Sequence, residues 1–473
     1  MIGLELNDTG ILAATEDGAL LPLDGNAAAS PGVAVIDAGA LTVGLAAEKS
    51  CRRIPRQTNH HFWDRLASEP LEDPAFAGWS HADLAHAHLR AIWEALAPAH
   101  QDVLVAVPDT YAAPQLELLA GVMHALAIPV RGFISQALAA LPKTAPAEIL
   151  LHLDLHRHRT VLTVLDNRRE AAILCRAPVD GLGLDRLRAA WMQVIADEFV
   201  RHTRFDPFHA AEAEQALYDR LPALLADLAT DEEAVVEMST PSASHRIRLA
   251  RGQLERCLAP LMDAVHRQVI LLKKEFWDHD PLTTMIVSHR AAGLPGIGDR
   301  LAAAAGTRMV PLPEGAAAIG ALAFENAFPH REGRRGVPFL NRRPGKDNAH
   351  DPSQPSLSSS EDAGHPVPTH LLYRSRGYPI GKRPLVIGRV IPNSSADIPI
   401  RGRTEGVSRR HCTVMRRDNR LILTDTSTYG TFVNGVKISG ETELAVGQSI
   451  RVGTPGEELQ VIACLDDDET TNA

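Results

Sequence analysis

Cysteine is sparse and scattered. Cys51, Cys175, Cys257, Cys412 and Cys464 stand far apart with no ligand or pairing spacing. That excludes a disulfide-stapled scaffold and a Cys-based zinc site, and it fits a reducing compartment. Long apolar runs are also missing: none approaches the ~18–20 residues needed to span a bilayer. The opening MIGLELNDTG has neither the basic flank nor the apolar core of a secretory leader. A cytoplasmic protein with no membrane partner is the expectation. No internal repeat is present. What remains is ample: 45% hydrophobic and 22% charged residues supply a globular core, so disorder of the whole chain is excluded. A length of 473 residues suggests two or three domains. The net charge of -10 is uneven. Residues 370–465 carry 14 Lys and Arg against 8 Asp and Glu, a net +6, whereas the rest carries 34 against 50, a net -16. A basic module on an acidic body points to an anionic ligand at that end.

The composition changes twice along the chain. Residues 1–329 are rich in Ala and Leu and alternate strand-like runs with amphipathic ones. GVAVID (32–37) and VLVAVP (103–108) read as strands, HADLAHAHLRAIWEALA (81–97) and LRAAWMQVIADEFVRH (187–202) as helices, which together predict an α/β architecture. Residues 330–368 are full of Pro, Gly, Ser and charge and predict a flexible linker, with the apolar VPFL (337–340) as the one piece able to dock on a neighbour. From 369 to 465 short β-type runs follow one another (HLLYRS, PLVIGR, HCTVMRR, RLILTD, GTFVNG, SIRVG and LQVIAC). They predict an all-β sandwich. Residues 466–473 form an acidic tail.

Three motifs converge in the β module. A strand ends in Gly388–Arg389; Ser408-Arg409-Arg410-His411 follows; then comes Asp425-Thr426-Ser427-Thr428-Tyr429-Gly430-Thr431-Phe432-Val433-Asn434-Gly435. Asn434–Gly435 is a type I′ hairpin signal. Arginine beside glycine, with hydroxyl and basic side chains from separate loops, is equipment for phosphate. Together these residues resemble the forkhead-associated (FHA) domain, a sandwich that binds phosphothreonine peptides. The resemblance implies that Arg389, Ser408, Arg409 and Thr428 contact phosphate, while Gly388, His411, Gly430, Asn434 and Gly435 shape the loops. Tyr429 stands where the family commonly has an Asn that holds the peptide backbone, so peptide orientation is the open question. The implied partner is a phosphothreonine-containing protein of a bacterial-type Ser/Thr kinase pathway. Nucleic acid is the poorer reading of the +6 charge, because there is no aromatic platform or recognition helix.

Residues 1–329 open with a strand, Met1–Leu6, and a polar turn, Asn7-Asp8-Thr9-Gly10. A similar strand and turn recur at Leu151–Leu155 through Thr160–Leu162. Later come Met285-Ile286-Val287-Ser288-His289-Arg290-Ala291-Ala292-Gly293, a helix expected at 297–305, and Glu314-Gly315-Ala316-Ala317. This order resembles the actin-like, two-lobed ATPase superfamily, closest to the DnaK-type (Hsp70-like) chaperone ATPase domain. By that resemblance Glu5, Asn7, Thr9, Asp154, Arg157, His158, His289 and Gly293 line the nucleotide cleft.

The phosphate loops depart from the family. Asp8 adds an acid that would repel a triphosphate. The glycines of the second loop, which let backbone N–H groups approach phosphate, are replaced by His156-Arg157-His158-Arg159. The adenosine-site glycines match His289 and Arg290. A water-orienting glutamate matches Ser135, and a catalytic lysine matches Asp64. A degenerate pseudo-ATPase with no catalytic residue is expected. The basic residues of 156–159 leave ATP with magnesium as the one cofactor to test.

His152, Asp154, His156 and His158 alternate onto one strand face. The expectation there is a polar cleft edge and no metal, with His60 and His61 as surface or helix-start residues. The tail Asp466-Asp467-Asp468-Glu469-Thr470-Thr471 resembles the Glu-Thr-Thr segment of some small FHA regulators, and Thr470 and Thr471 are candidate phosphosites. The reading is a phosphothreonine-dependent signalling adaptor with a degenerate chaperone-like body. The alternative is an ATP-binding switch, or weak ATPase, recruited through the FHA domain.

Overall fold

Runs of buried aliphatic side chains set the strands of the first part of the chain, and amphipathic stretches set its helices. In the computed structural model the chain divides into two units, Met1–Ala349 and His350–Ala473. The residues described are 1–96, 101–240, 243–277, 282–297, 306–328 and 337–343 of the first unit. In the second they are 370–462, except 374–375, 382, 390–395, 401–405, 418–419, 434–435, 439, 445–447 and 454–455.

The first unit starts with the hairpin β1 (Ile2–Glu5) and β2 (Leu12–Thr15). A small sheet of β3 (Ala34–Asp37), β4 (Ala40–Val43) and β5 (Thr58–Asn59) follows, with α1 (Gly44–Glu48) after β4. Next come α2 (His81–Leu96), β6 (Val103–Val107), α3 (Ala113–Ala125), β7 (Val130–Ser135) and α4 (Gln136–Ala140). The second half opens with β8 (Ile149–Leu155), β9 (Arg159–Asp166) and β10 (Ala172–Asp180). It continues through α5 (Leu184–Thr203), α6 (Ala211–Thr230), the hairpin β11 (Glu233–Ser239) and β12 (Ser244–Ala250), and α7 (Arg251–Phe276). It closes with β13 (Thr284–Val287), α8 (His289–Ala292), β14 (Arg308–Pro311) and α9 (Ala316–Leu322). The helix expected at 297–305 falls almost wholly outside the described residues.

The two main sheets are built alike. In one, β1 runs antiparallel to β2 and parallel to β6, and β6 parallel to β7. In the other, β8 runs antiparallel to β9 and parallel to β13, and β13 parallel to β14. Each first strand thus lies between its hairpin partner and a parallel crossover strand. The turns that leave β1 and β8 therefore emerge at corresponding ends of the two sheets. Helices α4 and α9, which follow β7 and β14, pack together through small residues. A Cβ on Gly320 would collide with the Ala139 carbonyl, and one on Gly3 with that of Ala318. This close backbone approach holds the two halves together and fixes the spacing of the turns. The core of the second half contains Trp191 and Phe199; that of the first contains Phe62, Trp63 and Phe76.

Residues 337–343 belong to this unit. A two-residue strand, β15 (Phe339–Leu340), pairs parallel with β7, and the Phe133 N–H donates to the Pro338 carbonyl at 2.8 Å. The apolar VPFL thus extends the first sheet, inside the stretch that composition reads as linker from 330.

The second unit is a sandwich. Its strands are β16 (His370–Tyr373), β17 (Arg376–Pro379), β18 (Leu385–Arg389), β19 (Ile398–Ile400), β20 (Cys412–Arg417) and β21 (Arg420–Asp425). They continue with β22 (Thr431–Val433), β23 (Val436–Lys437), β24 (Glu441–Leu444), β25 (Ser449–Val452) and β26 (Glu457–Ile462). One sheet has the order β17-β16-β26-β25-β22-β23, the other β19-β18-β20-β21-β24. Alternate residues such as Cys412, Val414, Leu421 and Leu423 point into a shared core with Leu371, Ile387 and Ile450. All seven expected strands form. The four unexpected ones are short: β17 and β19 each contain a proline, and β23 and β24 are mostly polar or exposed, so they carry little alternating pattern.

Candidate functional site

The loops at one end of the sandwich are fastened to one another. The Arg389 N–H, at the end of β18, donates to the Ser408 carbonyl at 3.0 Å. A Cβ at Gly388 would run into the carbonyl of Arg409, so only glycine lets β18 and this loop approach so closely. His411 is fully buried and bridges two loops: Nδ1 accepts the Ser408 N–H at 3.1 Å, and Nε2 reaches the Gly430 carbonyl at 3.2 Å. A carbonyl can only accept, so Nε2 carries the proton and Nδ1 is left as the acceptor. Burial, partly offset by the Gly430 carbonyl, holds His411 below its ordinary value.

The second loop has its own stitching. Asp425 Oδ1 accepts from the Ser427 N–H at 3.0 Å and the Thr431 hydroxyl at 2.8 Å, and Ser427 Oγ accepts from the Gly430 N–H at 2.7 Å. Gly430 takes a φ of 100°, a conformation few other residues tolerate. The Thr428 N–H donates to Ser408 Oγ at 3.2 Å, joining the two loops. Arg389, Arg409, Thr428 and Tyr429 are exposed on this frame, and Ser408 is half-buried. The structure therefore brings Arg389, Ser408, Arg409 and Thr428 to one end of the module, on loops fixed by backbone and side-chain hydrogen bonds. Val433 pairs with Val436 across two intervening positions, but Asn434 and Gly435 themselves, like Thr470 and Thr471, lie outside the described residues. Asp425 and Ser427 were not singled out as loop stitchers; the Asp-x-Ser spacing of an Asx-turn was the available signal.

In the first unit the turns after β1 and β8 face each other, and their charges are satisfied internally. His156 lies between two aspartates, with Nδ1 3.5 Å from Asp8 Oδ1 and Nε2 3.4 Å from Asp154 Oδ2. Burial alone would depress His156, but these two carboxylates outweigh it and hold it up to about 10. Asn7 donates to Asp154 at 3.1 Å, and Asp8 also accepts the Arg157 N–H at 2.7 Å. The buried Arg157 guanidinium pairs with Asp185 at 3.1 Å and Glu48 at 3.0 Å. Burial would raise the Asp185 carboxyl, yet Arg157 and His60 hold it well below the usual range. Arg290 pairs with Glu5 at 2.5 Å and donates to the Gly10 carbonyl at 2.9 Å.

Little room is left between these groups. A cavity of about 10 Å³ lined by Glu5, Gln136, His152, Asp154 and Ser288 is about the size of one water molecule. Two larger cavities flank the turns. One of about 340 Å³ is lined by Cys51, His60, Arg157, Asp185 and Tyr218. The other, of about 240 Å³, is lined by Thr9, Arg188, His289, Arg290 and Gly293. Of the expected cleft residues, Glu5, Asn7, Asp154 and Arg157 meet around the turns, and Thr9, His289 and Gly293 sit at the second flank.

His158 does not share the face expected of it. Strand β8 ends at Leu155, so His156 and His158 belong to the turn and the two-residue alternation stops before them. His158 instead packs against His60 and His61, with ring centroids 4.9 and 3.8 Å away. His60 and His61 are therefore part of this cluster rather than simple surface residues. Asp64, matched to the lysine position, pairs with Arg159 and is held low: burial raises it, but His61 and Arg159 prevail.

A family model for the FHA domain matches residues 385–453, which cover β18 to β25 and both fastened loops. The chain therefore carries an FHA domain, a class of module that binds phosphothreonine-containing proteins. No curated protein matches the chain. Among the described residues, no helix is long and apolar enough to cross a membrane.

Proposed function

We propose that this protein is a phosphothreonine-dependent adaptor in which Arg389, Ser408, Arg409 and Thr428 hold the phosphate and the first unit is an actin-like body without ATP turnover. The observation that carries the reading is the fastened loop pair, in which His411 and Ser408 tie the Arg389 strand to the Thr428 loop. Such pre-organisation spares the ordering cost of binding. Tyr429 is 63% exposed beside Thr428 and would offer a ring where the family's Asn holds the peptide backbone. A phosphothreonine peptide library and its unphosphorylated counterpart, each passed over the immobilised full chain, test this. Selective retention of phosphorylated sequences is expected; equal retention of both libraries would overturn it.

For the first unit, the support is the repeated sheet topology together with what occupies the facing turns. The resemblance would place a triphosphate and its magnesium there. The residues present do not fit that pair. His156 already neutralises Asp8 and Asp154, Arg290 neutralises Glu5, and the cavity beside Glu5 and Asp154 admits about one water. The side chains at 156–158 also block the backbone approach that glycines allow. A second reading, an ATP-controlled switch, draws on the 240 Å³ cavity with its two arginines. Arg188 is already paired with Glu48 at 3.0 Å and Arg290 with Glu5, so neither is uncommitted for an anion.

A further inference from the structure

Sequence positions 98 residues apart converge in a cluster of three imidazoles. His60 and His61 follow β5, and His158 comes from the turn between β8 and β9. The rings of His60 and His61 lie 4.8 Å apart, those of His60 and His158 4.9 Å, and those of His61 and His158 3.8 Å. One nitrogen from each lies within 4.8 Å of the other two. We propose that His60, His61 and His158 form a binding site for one borderline divalent transition-metal ion of the zinc class.

The nitrogens are already sorted. His158 Nε2 lies 2.8 Å from the His60 carbonyl, which can only accept, so Nε2 holds the proton and Nδ1 keeps its lone pair. Nδ1 of His60 stands 2.9 Å from Asp185, and Nδ1 of His61 stands 3.9 Å from Asp64. Neither Nδ1 makes a hydrogen bond. A carboxylate behind each ligating imidazole is the usual outer support of a histidine metal site. The neutral imidazole is the ligating form.

An ion bonded at about 2.0–2.1 Å to each would draw the nitrogens to about 3.4 Å of one another. His60 and His61 are about one-third exposed, so their rings have room for that contraction. Imidazole nitrogen selects zinc, cobalt, nickel or copper over magnesium or calcium. Three protein ligands leave a fourth position for water. The ion would join the loop after β5 to the β8–β9 turn, which come from different halves of the unit.

The test uses the full chain dialysed against micromolar zinc, with metal content measured, and the cobalt(II) form examined for visible d–d bands. About one ion per chain with tetrahedral bands is expected. His61→Asn and His158→Gln should each weaken zinc binding at least tenfold, whereas His124→Asn, an exposed change on α3, should not. Asp185→Asn should weaken it by about 10- to 100-fold, as outer-shell changes do. Diethyl pyrocarbonate labelling of the unaltered protein provides a check that needs no variant: zinc should protect His60, His61 and His158 from modification. No zinc bound at micromolar concentration, full retention by both ligand variants, or labelling unaffected by zinc would overturn the site. Phosphopeptide binding is expected to be unchanged throughout, so this test stands apart from that of the adaptor function.

Discussion

At the residue scale, His411 decides whether the loops that carry Ser408 and Gly430 stay together. Its neutral ring uses both nitrogens, one accepting from Ser408 and one donating to Gly430. Protonation would remove the acceptor and set a charge in the core. Because the folded value lies below the ordinary 6.5, the stability it contributes is present above pH 6.5. That stability is lost as pH falls through the folded value, by at most about 1.4 kcal/mol per pH unit. Denaturant melts of the FHA transition between pH 7 and 5 should show this slope, and His411→Asn should remove it. The legible part was the placement of Arg389, Ser408, Arg409 and Thr428 together at one end of the module, since their spacing is local to each loop. His411 was legible as a residue that shapes the loops, but the stitching by Asp425 and Ser427 was concealed, because they act through a turn rather than through an unusual residue type.

At the element scale, the two facing turns behave as one charged assembly. His156 is the cation between Asp8 and Asp154, and His156→Gln would leave two buried carboxylates without it. Breaking a buried pair in this way costs about 3–5 kcal/mol, measurable by urea unfolding of the first unit. The pH dependence gives a second check. His156 is raised from 6.5 to about 10, so its stabilising effect is complete below pH 6.5 and is lost as pH rises through about 10. The variant should be weaker at neutral pH and lack that alkaline decline.

The strands and helices here were readable from periodicity: the described part of 81–97 forms α2, His81–Leu96, and 187–202 lies within α5. The alternation at 152–158 was misleading, because periodicity cannot reveal that β8 stops at Leu155. Nor could it reveal that the Arg157 partners, Glu48 and Asp185, come from distant segments. The cluster of His60, His61 and His158 was hidden for the same reason.

At the scale of the whole molecule, the division into an acidic α/β part and a basic β part was already visible in composition. The charge of +6 on residues 370–465 follows from the phosphate-binding role proposed for that module. For the first unit, the filled turns predict that titration of the full chain with magnesium and ATP yields no binding heat at millimolar nucleotide and no phosphate release. Micromolar binding would instead promote the switch reading.

The adaptor role itself rests on one contrast. The affinity of the full chain for the best phosphothreonine peptide from the library should be compared with that for its unphosphorylated twin, in the wild type and in Arg389→Ala. The account predicts binding of the phosphorylated form alone. It also predicts a loss of about 10- to 150-fold in Arg389→Ala, the worth of a hydrogen bond to a charged group. Equal affinity for both peptides, or an Arg389→Ala variant that binds as well as wild type, would contradict it.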